Sequence, residues 1–287
     1  MCQNPPMILS IRNHDRDVAG LTYVYPVVSR RAGGVSVGVN LNPNNACNWR
    51  CVYCQVPDLV RGGPPPLDLT RLEAELRGLL GDIVHGDFLD REVPEGMRHL
   101  HDVALSGNGE PTTAAEFPEA VRLIGRVLED LGIAGRIKLV LITNGSQLHK
   151  ARVQEGIRTM AALNGEVWFK FDRGTRSGLR QVNDTQTDPQ RHLDRLRQGA
   201  KLCPTWIQSC FFQFDGQTPS DSEMEGYLAM LKHCRQKIPE VAGVLLYGIS
   251  RPSRQPEAPR LSPVDSAWLA ALASRIEALG FQVRVAP

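Results

Sequence analysis

Strand-like and helix-like segments alternate about six times along this chain, and that rhythm leaves few architectures open. Val35-Ser-Val-Gly-Val-Asn-Leu alternates like a strand. After it come His101-Asp-Val-Ala-Leu-Ser, Ile137 to Ile142, Glu166-Val-Trp-Phe-Lys-Phe-Asp, Trp206 to Phe214 and Val241 to Ile249. Between them lie helical patterns: Leu72, Leu76, Leu79, Leu80 and Ile83, with Asp68 or Thr70 as cap; Val121, Ile124, Val127, Leu128 and Leu131; a helix through Met160; residues 188–199; and residues 221–238. Ser262-Pro263, with Asp265 soon after, opens a last helix before Phe281-Gln-Val-Arg-Val. This order predicts an α/β protein with a parallel sheet, arranged as an open or partial (β/α)6 TIM-like barrel. With 287 residues, 42% of them hydrophobic, one main domain over residues 21–287 is expected, preceded by an irregular polar segment at residues 1–20. In such folds ligands gather at the C-terminal ends of the strands, which is where the chemical motifs fall.

The first strand runs into Cys47-Asn-Trp-Arg-Cys51-Val-Tyr-Cys54, three thiols within eight residues. Sulfurs so close can share one metal centre, and a cubane iron–sulfur cluster normally takes four. Three ligands leave one iron free for a small molecule, as catalytic zinc sites keep a position for water or substrate. A zinc knuckle whose fourth ligand lies elsewhere, and an electron-transfer cluster completed by a distant cysteine, are the two structural alternatives. Seven cysteines is an odd number, and the clustered three suit metal better than disulfides. Cys203, Cys210 and Cys234 have no chelating spacing and read as buried small hydrophobes.

Ser106-Gly107-Asn108-Gly109-Glu110-Pro-Thr ends the second strand. Its glycines can bring backbone close to a ligand, and Glu110 can accept from an ammonium; the same residues also make an ordinary turn. Thr143-Asn144-Gly145 ends the third strand, with a hydroxyl and an amide suited to ribose or carboxylate oxygens, or simply to turning the chain. On the fourth strand Val167, Phe169 and Phe171 form an apolar face toward the helices. Lys170 and Asp172 then point into the barrel mouth as candidates for catalysis and cofactor contact. Arg30, Arg31 and Arg251 flank that mouth and are candidates to clamp an anionic substrate; solvated rim charges are the equal alternative.

Taken together, Cys-Asn-x-x-Cys-x-Tyr-Cys-Gln, Ser-Gly-Asn-Gly-Glu-Pro-Thr, Leu-Ile-Thr-Asn-Gly-Ser, Asp172 followed by Arg180-Gln-Val-Asn183, and Ser250-Arg-Pro resemble the radical S-adenosylmethionine (radical SAM) superfamily. Within it they look most like the wyosine-synthase-like branch. The resemblance implies a [4Fe-4S] cluster held by Cys47, Cys51 and Cys54, with the open iron chelating the amino and carboxylate groups of SAM. Reduction of that cluster then cleaves SAM to a 5′-deoxyadenosyl radical. It further implies that the backbone beside Tyr53 reads the adenine, that Ser106 and the Gly107–Glu110 turn contact SAM, and that Asn183 faces the substrate. The wyosine enzymes carry a second cysteine set before the barrel, whereas this chain has only Cys2 there. The branch commonly places Ser where Lys170 stands, so Lys170 pairs with the SAM carboxylate or serves the substrate as acid, base or imine former.

A net charge of +2 announces no strong attraction to nucleic acid or membrane. No apolar run spans a bilayer and the N-terminus has no secretion pattern, so a cytoplasmic protein with no membrane partner is expected. The expected partner is a flavodoxin- or ferredoxin-like electron donor, and the substrate is a tRNA, a protein to be activated, or a metabolite. The competing class is a binding module that keeps a cluster or zinc only for structure.

Overall fold

The computed structural model describes Leu9, residues 20–29 and residues 33–286. The predicted N-terminal segment at residues 1–20, including Cys2 but not Leu9 or Gly20, lies outside them, as do Arg30 and Arg31.

The chain opens with β1 (Val24–Ser29), which pairs antiparallel with β2 (Gly34–Val39), and continues through the two-residue strands β3 (Ala46–Cys47) and β4 (Val60–Arg61). Then come α1 (Leu69–His85), the short α2 (Phe88–Glu92), β5 (Leu100–Leu105), α3 (Phe117–Asp130), β6 (Lys138–Thr143), α4 (Ala151–Ala162) and β7 (Gly165–Lys170). The second half runs α5 (Arg176–Asn183), α6 (Pro189–Ala200), β8 (Thr205–Phe214), α7 (Asp221–Lys237), β9 (Val241–Gly248), β10 (Leu261–Pro263), α8 (Ser266–Glu277) and β11 (Gln282–Ala286). The main sheet is ordered β1-β2-β5-β6-β7-β8-β9-β11, parallel from β2 onward, with β10 antiparallel on β8. Six parallel strands with their helices form the expected partial barrel. The C-terminal α8 and β11 extend it by one strand, and β1 and β11 are its edges.

Side-chain pattern explains the layers. Val103, Leu105, Leu139, Leu141, Val167, Phe169, Ile207 and Val244 lie on the strands, and Leu76, Ile124, Val127, Ile157, Leu196 and Leu231 on the helices; all are buried in one continuous core. Helix starts follow capping chemistry: Asp68, Thr175, Asp188, Ser220 and Asp265 each accept a backbone N–H of the first turn. Between Asp68 and Thr70, the cap is Asp68. A second, smaller core of Val52, Tyr53, Val182, Cys210 and Phe212 seats the cysteine loop against α5 and the end of β8.

Three elements differ from the sequence reading. Residues 24–29 form an edge strand rather than a lead-in; Pro26 is tolerated there because β1 has a partner on one side only. Residues 176–183, expected as loop, are helical because Thr175 caps the start and Asp184 ends the turn in the left-handed region, φ 46°. Ser262-Pro263 belongs to β10, and α8 starts only after Asp265. Among the described residues no helix is long and apolar enough to cross a membrane.

The β1–β2 hairpin bears on the site through one cross-strand contact. A Cβ on Gly38 would overlap the Tyr25 ring, and the Tyr25 hydroxyl lies 2.8 Å from Ser106 Oγ, at the start of the glycine turn. Gly38→Ala should therefore lower the stability read from urea midpoints by about 1–3 kcal/mol, as an overpacked contact does. In a Tyr25→Ala background the same change should cost little.

Candidate active site

The cysteine loop is tied down from several sides at the C-terminal ends of the strands. Val52 N donates to Val182 O (2.9 Å) and Arg50 N to Asn183 O (3.3 Å), which joins the loop to the end of α5. Ser253 Oγ donates to Val52 O (2.7 Å), and Arg254 N to Cys54 O (2.8 Å). The Arg50 guanidinium forks onto both oxygens of Glu257 at 2.8 Å and reaches Asp184 at 3.2 Å. Asn48, between the first two cysteines, donates to Ser146 Oγ (2.7 Å) and accepts from Asn144 Nδ2 (2.8 Å), docking the loop on the turn after β6. Asn48 was missed in the sequence because its partners lie nearly a hundred residues away.

Cys47, Cys51 and Cys54 are all free and half-buried. Burial pushes the Cys47 thiol up to about 11, offset in part by the backbone N–H groups of Trp49 and Glu110; burial pushes Cys51 up to about 12, offset in part by Lys170. Asn183 Nδ2 lies 3.2 Å from Cys51 Sγ. Donors aimed at sulfur suit thiolates, and coordination to a metal is what would deprotonate such thiols. Among the described residues no group of three His, Cys, Asp or Glu side chains converges on a single ion. A mononuclear zinc site would draw its sulfurs to about 2.3 Å from one point, whereas a cubane distributes thiolates over separate irons. Free thiols with N–H donors aimed at two of them fit the ligands of a thiolate-held metal centre, cluster or zinc.

Beyond the loop, Asp172 gathers the polar groups of the mouth. Its Oδ1 accepts from Cys210 N (2.8 Å), and its Oδ2 accepts from Tyr53 OH (2.5 Å) and Asn183 Nδ2 (2.7 Å). Lys170 Nζ donates to Tyr53 OH (2.9 Å) and Tyr247 OH (3.3 Å) and sits 4.9 Å from the Tyr53 ring centroid. Burial works against the Lys170 charge, but Tyr247, Asp172, Cys51 and Cys210 outweigh it, and the amine is held above its ordinary value as an ammonium. Lys170 and Asp172, both expected at the mouth, meet at the Tyr53 hydroxyl of the cysteine loop. The sequence does not show that Asp172 is fully engaged by the protein, nor that Tyr247 and Arg173 join it; Arg173 Nη1 donates to the carbonyls of Asp172 (2.7 Å) and Cys210 (3.1 Å).

The turns after β5 and β6 meet around Glu110. Its Oε1 accepts from Thr143 Oγ1 (2.6 Å) and from the Thr112 N–H (3.2 Å) and hydroxyl, and its Oε2 accepts from Asn144 N (2.6 Å). Burial nevertheless raises the Glu110 carboxyl above its usual range. Glu110, Thr143 and Asn144, expected as ligand contacts, are here hydrogen-bond partners of one another. The glycines differ from expectation in a similar way. A Cβ on Gly107 would strike the Asn40 side chain, and one on Gly109 would strike the Asn42 side chain and the Ala46 carbonyl, so the close approach is to the chain's own groups at the start of the cysteine loop. Asn108 donates to Asn45 Oδ1 (2.6 Å) and Asn40 Oδ1 (3.0 Å). Asn183, fully buried, lies against Cys51 and Asp172; Arg251 is half-buried beyond β9. Cys203, Cys210 and Cys234 are buried, as expected of small hydrophobes.

Fold and site together define a class: a mostly parallel α/β sheet curled partway toward a barrel, with a three-cysteine loop at its mouth. Several solved structures share this fold. A radical SAM methyltransferase from Sphaerobacter thermophilus matches with a TM-score of 0.58 over 88% of this chain and 66% of that one, at 14% identity. TYW1 with a lysine-pyruvate adduct bound matches at 0.57 over 94% and 79%, at 13% identity. Spore photoproduct lyase matches at 0.52 over 84% and 73%, at 10% identity. No family model matches the sequence. Among curated proteins, GTPase Obg of Brachyspira hyodysenteriae (strain ATCC 49526 / WA1) is 24% identical over 135 residues, spanning 46% of this chain and 17% of that protein.

His192 on α6 props this site from behind. Its Nε2 lies 2.8 Å from Lys170 O and so carries the proton, while buried Nδ1 has no partner among the described residues; its ring packs on Trp49, Phe169 and Phe171. Burial lowers its proton affinity to about 4 against an ordinary 6.5. The unfolded chain then binds the extra proton first, so this residue's contribution is intact above pH 6.5 and is lost as pH falls toward 4. At about 1.4 kcal/mol per tenfold change in proton affinity, the effect reaches roughly 3 kcal/mol. Urea denaturation of wild type and His192→Gln should show the wild type losing this much more stability between pH 6.5 and 4.

Proposed function

We propose that this protein is a radical SAM enzyme of the wyosine-synthase-like branch. The single observation that carries the reading is the three-cysteine loop, pinned at the C-terminal strand ends with N–H donors turned toward its sulfurs. The ordered series of motifs after β5, β6 and β7 and the shared fold support it. Cys47, Cys51 and Cys54 would hold a [4Fe-4S] cluster, with SAM beside it. When bound and reduced by a flavodoxin- or ferredoxin-like donor, the pair supplies a 5′-deoxyadenosyl radical that takes a hydrogen atom from the substrate.

The chain's own residues position and shield. Asn183 steadies Cys51 through its amide, and Asp172 orients Asn183 and Tyr53 together. Lys170, held cationic between two phenols, is suited to the carboxylate of SAM. An imine with a carbonyl substrate would need the free amine, which this setting disfavours; the lysine-pyruvate adduct in TYW1 makes that alternative worth excluding. Glu110 Oε2 accepts one bond, from Asn144 N, and keeps capacity for an ammonium donor. The substrate is a tRNA, a protein or a metabolite, and a cytoplasmic setting would keep the thiols reduced. GTP hydrolysis has little support: no Gly in this chain is followed by Lys, so the G-x4-G-K-[ST] phosphate loop is missing from it.

Anaerobic reconstitution with iron, sulfide, dithionite and SAM should yield 5′-deoxyadenosine, and Cys51→Ala should reduce it to background. Stoichiometric zinc without labile sulfide would instead establish the structural binding module. Lys170→Met should retain iron while weakening SAM binding by about tenfold, the loss of one charge-assisted contact. A borohydride-stable adduct on Lys170 after incubation with pyruvate would assign that residue to the imine alternative.

A further inference from the structure

Beside the cysteine loop, between the starts of α5 and α6, lies a cavity of ≈ 480 Å³ that the radical chemistry does not use. Arg176, Arg191 and Arg195 line it with Asp188 and the Thr185–Thr187 turn. Asp188 pairs with Arg176 and caps α6 by accepting from Arg191 N (3.1 Å). Three guanidinium charges against one carboxylate leave two positive charges in excess. Among the described residues no carboxylate pairs with Arg191 or Arg195; Asp194, on the same helix, faces Arg197 instead at 3.6 Å.

The position of these two arginines is unfavourable for the empty protein. They stand one helical turn apart on the same face of α6, where like charges repel. Arg191 also stands in the first turn, where the helix dipole favours anions and disfavours cations. Arg195 is half-buried, and its charge is opposed by that burial and then by Arg191. A multiply charged anion in the cavity would relieve all three penalties, and planar guanidinium groups bind phosphate oxygens two at a time. Threonine hydroxyls of the turn add neutral donors.

The cavity also adjoins the proposed chemistry. Asp184, immediately before Thr185, is held by Arg50 and Arg61 of the cysteine-loop region at 3.2 and 2.8 Å. His192, beside Arg191, packs its ring against Trp49 of the same loop in a tilted contact, centroids 5.5 Å apart. We propose that this cavity binds the phosphate group of a phosphomonoester substrate. The word substrate rests on the radical SAM reading; the phosphate site itself does not. A concave pocket with two excess charges, in a chain of net charge only +2, suits a dianionic end group better than a long polyanion.

Titration of the full chain, loaded with its cluster under anaerobic conditions and at constant ionic strength, tests this with inorganic phosphate, ribose 5-phosphate and chloride. Phosphate and ribose 5-phosphate should bind and chloride should not. Arg191→Gln/Arg195→Gln should weaken both by about tenfold or more, as losing charge-assisted bonds does. Arg195→Lys should retain part of the affinity, and iron content and uncoupled SAM cleavage should stay at wild-type values. Equal phosphate affinity in the wild type and the double variant, or no advantage over chloride, would overturn the site. Tighter binding of an oligoribonucleotide lacking a terminal phosphate would overturn the monoester assignment. Phosphate binding that persists in protein unable to hold iron would leave the site standing while the radical SAM reading fell.

Discussion

The carboxylate of Asp172 is the interaction on which the architecture of the mouth depends. One oxygen takes the backbone N–H of Cys210 from β8; the other takes the Tyr53 hydroxyl from the cysteine loop and the Asn183 amide from α5. A buried carboxylate with three donors is stable only if every donor stays in place, since each bond to a charged group is worth about 1.5–3 kcal/mol and a lost one leaves a desolvated oxygen. One side chain thus ties together β8, the cysteine loop and the end of α5. Asn183 extends that control to sulfur, because the same amide nitrogen lies 3.2 Å from Cys51.

Lys170 stands two residues earlier on the same side of the chain, close to this anion but not bonded to it. The Tyr53 hydroxyl lies between them, donating to Asp172 and accepting from Lys170. A relay through a phenol keeps the ammonium charged without spending its remaining N–H groups on the carboxylate, leaving them for Tyr247 and for a ligand. A direct ion pair would have closed the mouth; the interposed phenol leaves its cation available. The contrast with Glu110 is instructive, because there most of the acceptor capacity is already used by Thr112, Thr143 and Asn144, so its first duty is to lock two strand-end turns together.

How much of this was legible follows from the range of each cause. Alternation along the strands, Asp68 before α1 and three cysteines within eight residues are local patterns, and each led to the observed element or cluster of groups. Lys170 and Asp172 both reach the Tyr53 hydroxyl, a shared side that strand alternation suggests and that the chain keeps for two residues past the end of β7. The glycines of the 107–109 turn are expected to bring backbone close to a ligand; the groups that approach are Asn40, Asn42 and Ala46, and a sequence does not name the atom that arrives. Helix α5 is too short to be read from its sequence, with only Leu179 and Val182 as large apolar residues in its eight; it is held by the Thr175 cap and by the Val182 and Asn183 carbonyls, which accept from N–H groups of the cysteine loop, and those loop bonds require the fold.

The same distinction explains why the arginine cavity is not legible in the sequence. Arg176 belongs to α5 and Arg191 and Arg195 to α6, separated by a turn whose Asp184 is drawn back to Arg50 and Arg61. That draw, with the Arg176–Asp188 pair between the two helix starts, accompanies a turn that brings them to one cavity. The residues that anchor the cysteine loop therefore also shape the cationic pocket beside it, and any ligand held there would lie next to the loop. Such coupling needs no conformational switch: a fixed turn, pinned at Asp184, places an anion site and a thiolate site on the same rim of the barrel. Two like-charged side chains retained one turn apart on a helix, one of them in its first turn, are a local cost, and local costs of this kind concentrate at functional sites.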